Sequence, residues 1–377
     1  MSRTYPKVTP SHVPEEQLAD LAAELDNVYS RTIGTLDEND VRYLRSIVRA
    51  QRALEAAGRC TIQFGRSRPA RVAGVLALAA AKILDNLEIG HNVLHGQYDW
   101  AKDPHLHSDS YEWDTILPAR LWRYQHNFVH HVYANIYGLD ENLRAGPIRL
   151  SVQQPWQPHH IAGPLLLLAT APIAELAIAL HAADEIGRGS TSSDLKSTPK
   201  RLRQDILLKA ARQAAKDLVL FPLLSGRRAG DTLIANSSAL VLRNLWIFAI
   251  SLCNHYPEDV TVFNQDVLEN ETRGQRYVRQ IRGAANIEGS RMLHILAGHF
   301  THHIEHHLFP DVPSSRYREI SYQVRNICER YGIPYTTASF PAQIASAFRN
   351  LCALALPPNG RKSFARRSRR HESGDWR

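Results

Sequence analysis

The chain has 377 residues, with 45 Lys or Arg against 37 Asp or Glu and a formal net charge of +8. That length admits one large domain or two ordinary ones, and the positive balance favours anionic surroundings without choosing among nucleic acid, anionic lipid and phosphate-bearing substrates. The four cysteines, Cys60, Cys253, Cys328 and Cys352, are far apart. They exclude a disulfide framework and a thiolate metal knuckle and suit a reducing, cytosol-facing compartment.

Residues 1–50 read as a polar, helix-prone N-terminal region. Its first stretch, with Pro6, Pro10, Pro14, Glu15 and Glu16, lacks the apolar run of a secretory signal, so no targeting peptide is expected. Val72 to Leu84 is the first strongly apolar run but is short of the roughly 20 residues a spanning helix needs. Ile161 to Leu180 has one charge, Glu175, and two interruptions, Pro164 and Pro172. Leu218 to Cys253 is broken by Arg227, Arg228 and Asp231.

Histidines that share a metal must lie on one side of a bilayer, so an even number of crossings separates residue 131 from residue 294. Residues 185–216 carry eight Lys or Arg against three acids, and short basic loops resist translocation. The preferred arrangement is therefore a tight hairpin over Leu218 to Cys253, with Ile161 to Leu180 along the interface. Mean hydropathy is −0.32, so much of the protein sits in water. The expected fold is all-α: an integral-membrane helical stem of about four spans, or two hairpins, under a cytosolic helical cap. The basic tail, 358–377, reads as solvated or docked on anionic lipid.

Histidine is the unusual residue. There are 19, and 11 fall in three windows. GHNVLHGQYDW places His91 and His95 four apart, on one helical face. HNFVHHVYANIYGLDEN contains His126, His130 and His131. On an α-helix His126 and His130 share a face, while His131 turns by about 100° toward a neighbouring metal. GHFTHHIEHHLFPDVPSSRY holds His299, His302, His303, His306 and His307, with His294 upstream; as one helix, these five form a single broad face. Stacked imidazoles gain little from packing, and a metal makes their deprotonated state favourable. Eight or more histidines exceed what one zinc requires. Imidazole also suits iron, copper and nickel, and a histidine-rich metal pair on a reducing cytosolic face fits iron best.

With these residues in order, His91-x-x-x-His95, His126-x-x-x-His130-His131 and His303-Ile304-Glu305-His306-His307-Leu308-Phe309-Pro310, the chain resembles the membrane fatty acid desaturases. It is most similar to the bacterial acyl-CoA or linoleoyl-CoA desaturase-like branch. The likeness runs from about Ala53 to Leu356, within a desaturase domain placed at 51–357, and includes YEWDTILPA, RNLWIFAISLCNH and ENETRGQRYVRQI. It implies a di-iron centre, dioxygen as co-substrate and removal of two hydrogens from an acyl chain. The implied ligands are His91, His95, His126, His130, His131, His303, His306 and His307, with His294 and His299 as further candidates. Many relatives have Gln where this chain has His303 and Asn where it has His299.

Asp99, Asp114, Asp140 and Glu305 are candidates to orient the ligating rings through their second nitrogens, and Trp100, Trp113 and Trp122 to wall the site. An alkyl C–H bond is beyond any side-chain base, so a metal–oxygen oxidant is needed. No dinucleotide, iron–sulfur or haem motif accompanies the boxes. Electrons are thus expected from a ferredoxin-type or other carrier protein with its reductase, and the substrate is an acyl-CoA or acyl lipid in the bacterial cytoplasmic membrane, with no role for nucleic acid. A membrane hydroxylase and a non-enzymatic metal-binding protein are the competing readings.

Overall fold

A capping box at Asp37 and Asp40 starts a 27-residue helix, and Ser67 with Pro69 starts the next; these local signals set up the hairpin on which the first histidine box is mounted. The computed structural model describes residues 13–143, 146–187 and 197–358; all but the first residue of the basic tail lies outside them. Helix α1 (Glu15–Gly34) buries Leu18, Leu21, Leu25 and Val28. Helices α2 (Glu38–Phe64) and α3 (Arg68–Ile83) then pack as a pair. Their close approach needs Gly58, where a Cβ would sit 2.8 Å from the Leu78 backbone nitrogen. The expected boundary at residue 50 falls inside α2.

Helix α3 does not stop at Ile83. Its backbone widens into a π-helical turn over Leu84–His91 and closes with Asn92–Leu94. Helix α4 (Ala119–Arg123) does the same over Tyr124–His130. Next come α5 (Gly163–Thr170) and α6 (Ala174–Gly187), joined by a 3₁₀ turn that contains Pro172. Helix α7 (Pro199–Ala214) continues through a third π turn, Ala215–Leu220, to Leu224, and α8 (Ala229–His255) returns.

Among the described residues two segments, Pro158–Glu185 and Gly226–His255, are long and apolar enough to cross a membrane; the expected count of about four is not reached. A turn does stand at Arg227 and Arg228, but of the expected hairpin legs only the second, within Gly226–His255, is long and apolar enough to cross, and the other such segment contains Ile161 to Leu180, which was expected to lie along the interface. The hairpin's first leg is longer than the apolar run suggested, because the basic residues from Lys200 to Lys216 form part of the helix and not a loop. Leu165, Leu176, Leu180, Leu223 and Ile234 point outward, each between 47% and 72% exposed. Between these helices, Glu175 receives both the buried Arg243 side chain and the Ile116 backbone N–H, tying α6 to α8 and to the loop before α4. Buried Asp217 is similarly held by Lys82 at 2.7 Å and Arg59 at 2.9 Å, joining α7 to α3 and α2.

The polar side is built from α9 (Arg273–Arg282), α10 (Arg291–Leu296), α11 (His303–Leu308), α12 (Tyr317–Arg330) and α13 (Phe340–Ala355). Val278, Ile281, Ile304, Phe309, Ile320 and Val324 from this layer share one core with Leu21 and Leu25 of α1. The fold is mostly helical, but not wholly so. Strands β1 (Asn286–Glu288) and β2 (Thr337–Ser339) pair in parallel, Ile287 opposite Ala338. Two three-residue segments leave no periodicity to read in the sequence.

Candidate metal centre

The three boxes reach one place by three local devices. The first is the π turn of α3, which ends on His91 and delivers His91 and His95 with ring centroids 4.5 Å apart. In the second box the π turn changes the pairing expected from α-helical spacing, because a π-helix closes on i+5 instead of i+4. His126 and His131, five apart, meet with their Nε2 atoms 3.2 Å from each other, and His130 is the ring that turns to the other group. The third box is not one helix. Gly298 (φ 63°) and His299 (φ 57°) are left-handed and break the chain, so only His303, His306 and His307 ride on α11.

Two groups result. One ring nitrogen from each of His91, His95, His126 and His306 lies within 4.8 Å of the others, as does one from each of His130, His255 and His307, so either group could hold a metal ion. His303 joins the second group, its Nε2 standing 2.8 Å from that of His255 and 3.1 Å from that of His307. His131 lies between the groups, 4.7 Å from the His306 ring and 4.5 Å from that of His307. Trp122 stacks on His126 at 4.3 Å, and Phe300 stands 4.2 Å from His91, so two aromatic walls flank the first group.

The tautomers of four rings follow from their outer partners. Asn92 donates its amide to Glu88 and Ser314, leaving its oxygen to accept from His91 Nδ1 at 3.2 Å. The Asp140 carboxylate accepts from His130 Nδ1 at 3.0 Å. Gln280 donates to the His131 carbonyl and accepts from His307 Nδ1 at 3.0 Å. Tyr317 donates to the Phe309 carbonyl, so its oxygen accepts from His306 Nδ1 at 3.3 Å. Each of the four therefore turns an Nε2 lone pair inward. The inward atoms of His130 and His306 are buried with no hydrogen-bond partner. Burial, reinforced by neighbouring histidines, holds His95, His126, His131, His306 and His307 well below the usual imidazole pKa, so protons do not fill the gap at neutral pH. Converging lone pairs about 3 Å apart in a dry site fit a pair of cations.

His294 and His299 stand outside both groups. The chain break at Gly298 turns them away: His294 Nδ1 meets the Thr301 hydroxyl at 2.7 Å, and His299 Nδ1 meets Glu88 at 2.9 Å. Of the four carboxylates expected behind the rings, Asp140 alone is placed there. Asp99 accepts from Ser108, Asp114 pairs with Lys82 and Lys216, and Glu305 accepts from Asn286 and Tyr335 while burial pushes its pKa up to about 7. These three brace loops instead. Reasoning from the boxes missed His255, whose signal is a histidine closing a long apolar helix in SLCNH. It also missed Asn92, Gln280 and Tyr317, which carry no sequence signal of their own.

A family model for fatty acid desaturases matches residues 67–339. The chain belongs to the fatty acid desaturase family. It is 41% identical to the NADPH-dependent stearoyl-CoA 9-desaturase of Mycobacterium tuberculosis over 92% of this chain and 82% of that protein. It is 26% identical to the sn-1 linoleoyl-lipid 6-desaturase of Synechocystis, over 76% and 81% of the two chains. With human fatty acid desaturase 3 the figure is 24%, over 62% of this chain and 49% of the other. The protein is thus an oxidoreductase, an O2-dependent fatty acid desaturase that introduces a double bond into an acyl chain.

Proposed function

We propose that this desaturase acts on an acyl-CoA at a di-iron centre, one iron held among His91, His95, His126, His131 and His306 and the other among His130, His255, His303 and His307. The observation that carries this reading is the set of inward Nε2 lone pairs, whose tautomers Asn92, Asp140, Gln280 and Tyr317 fix. The mycobacterial relative acts on stearoyl-CoA by its name, which supports a coenzyme A thioester over a glycerolipid. Iron bound there would supply dioxygen activation, which no side chain in the site can provide.

The remaining work falls to the protein. Trp122 and Phe300 exclude water beside the first group, and the outer hydrogen bonds keep the rings neutral and aimed. Converting –CH2–CH2– to –CH=CH– while reducing O2 to two waters consumes two external electrons and two protons, so a separate carrier protein with its reductase completes the system. The two apolar segments would anchor the chain as a multi-pass protein of the bacterial cytoplasmic membrane, with the histidine face toward the cytosol, where carrier and substrate are found. The test is to purify the full chain in detergent, measure iron, and supply stearoyl-CoA, O2 and a reductant system. Two irons per chain and an unsaturated acyl product are expected; stoichiometric zinc, or no desaturated product from any acyl-CoA, overturns the reading.

A further inference from the structure

A cavity of about 460 Å³ lies between α2 and the loop that follows the first histidine box, lined among others by Arg45, Arg49, Arg52, Ile89, Leu106 and Tyr111. It is outside the two histidine groups but shares a wall with them, because Ile89 is part of the π turn that ends on His91. Its size falls within the range of ordinary small-molecule sites.

Arg45, Arg49 and Arg52 stand at offsets of zero, four and seven, so they share one face of α2 and spread over roughly 10 Å of helix. Arg45 is committed: it pairs with Asp103 at 3.0 Å and Glu38 at 3.1 Å. Asp85, the other acid of the cavity, accepts the Asp114 backbone N–H. Within the cavity wall Asp103 is thus taken up by Arg45 and Asp85 by a backbone N–H, while Arg49 and Arg52, both exposed, form no salt bridge within the described residues. Val48, Ile89, Leu106 and Tyr111 supply an apolar wall with one aromatic ring. A two-turn row of guanidiniums beside such a wall suits a ligand with phosphates at more than one position and a flat base. A phosphatidylglycerol headgroup offers a single phosphodiester and no base.

We propose that this cavity seats the phosphate-bearing nucleotide head of a coenzyme A thioester, with Arg49 and Arg52 as its anion clamp. The inference rests on the acyl-CoA reading above and adds the residues that anchor the head. The span from this clamp to the metal centre then determines which pair of methylenes is presented for dehydrogenation.

The test uses the full-length, metal-loaded protein in detergent, with coenzyme A itself as titrant in calorimetry and 3′,5′-ADP as competitor. The double variant Arg49→Gln, Arg52→Gln is expected to bind coenzyme A at least tenfold more weakly, on the scale of one lost charge-assisted hydrogen bond or more. Its metal content should equal that of the wild type, and Arg49→Lys, Arg52→Lys should recover part of the affinity. Arg325→Gln, on the exposed face of α12, should leave coenzyme A binding unchanged.

Wild-type affinity in the double Gln variant, or an equal loss in Arg325→Gln, overturns this site. If the wild type still desaturates stearoyl-CoA in that event, the proposed function stands and only the clamp fails. If the wild type binds no coenzyme A and desaturates only acyl chains in phosphatidylglycerol vesicles, the acyl-CoA reading fails and the clamp with it.

Discussion

Replacing His255 with Ala tests whether the two histidine groups hold metal independently. His255 is buried, it ends α8, and its Nε2 stands 2.8 Å from that of His303 within the group that also holds His130 and His307. No ring of the first group touches it in a hydrogen bond. Truncation removes one of four imidazoles from one centre and leaves the other complete. Losing even an outer partner of a ligand typically lowers metal affinity about 10–100-fold, or about 1.4–2.7 kcal/mol; losing a ligand costs at least that. After desalting, the variant should hold close to one iron per chain against the two proposed for the wild type, and turnover should fall by orders of magnitude. The assay is elemental analysis with Mössbauer spectroscopy on the same sample, beside His299→Ala as the comparison. His299 bonds Glu88 and belongs to neither group, so that variant should keep two irons. Two irons and normal turnover in His255→Ala, or a lost iron in His299→Ala, would refute the assignment.

Further expectations follow from individual contacts. Asp140→Asn removes the carboxylate that accepts from His130 Nδ1 and from the Asn135 and Asn142 backbones, and metal titration should show the second centre weakened by about 10–100-fold. Gly298→Ala places a Cβ 2.6 Å from the Leu87 carbonyl oxygen at a residue with φ of +63°; the left-handed backbone alone costs about 1–2 kcal/mol, so thermal melting should drop and both centres lose metal as α11 shifts. Chelating the metal should lower stability by about 3–4 kcal/mol if the wild type is loaded at 100–1,000 times its dissociation constant, seen as a fall in Tm that added iron reverses. The chelated protein should also unfold in acid. Buried His95, His126, His131, His306 and His307 have folded pKa values below the unfolded one, so the unfolded chain binds more protons below about pH 6.5 and stability declines as pH falls. Each such ring contributes up to about 1.4 kcal/mol per pH unit. A flat denaturation profile between pH 7 and 5 would contradict that.

Much of the chemistry was readable from residue order. His91, His95, His126 and His306 converge in one group and His130 and His307 in the other, with His303 beside the second and His131 between them, and the family assignment agrees with the matched model and relatives. Helix partnerships within each box were less readable. The i,i+4 rule pairs His126 with His130 only on an α-helix, and nothing in TYR-to-HIS spacing announces that Tyr124–His130 is wound as a π-helix. A continuous helix through the third box would put His299 on the same face as His303, His306 and His307. The left-handed pair Gly298 and His299 ends that continuity.

What residue order alone determined is the donor chemistry and the family: three clustered sets of histidines on a mostly helical, partly apolar chain, a pattern that fits shared metal. Which imidazole joins which partner was settled only in three dimensions. The reason is geometric: ligand groups are selected by distances of a few ångströms between atoms far apart in the chain, and those depend on helix winding, on a single left-handed break, and on where α8 happens to end. His255 shows this most plainly, since it stands alone in sequence and is surrounded by His130, His303 and His307 in the fold.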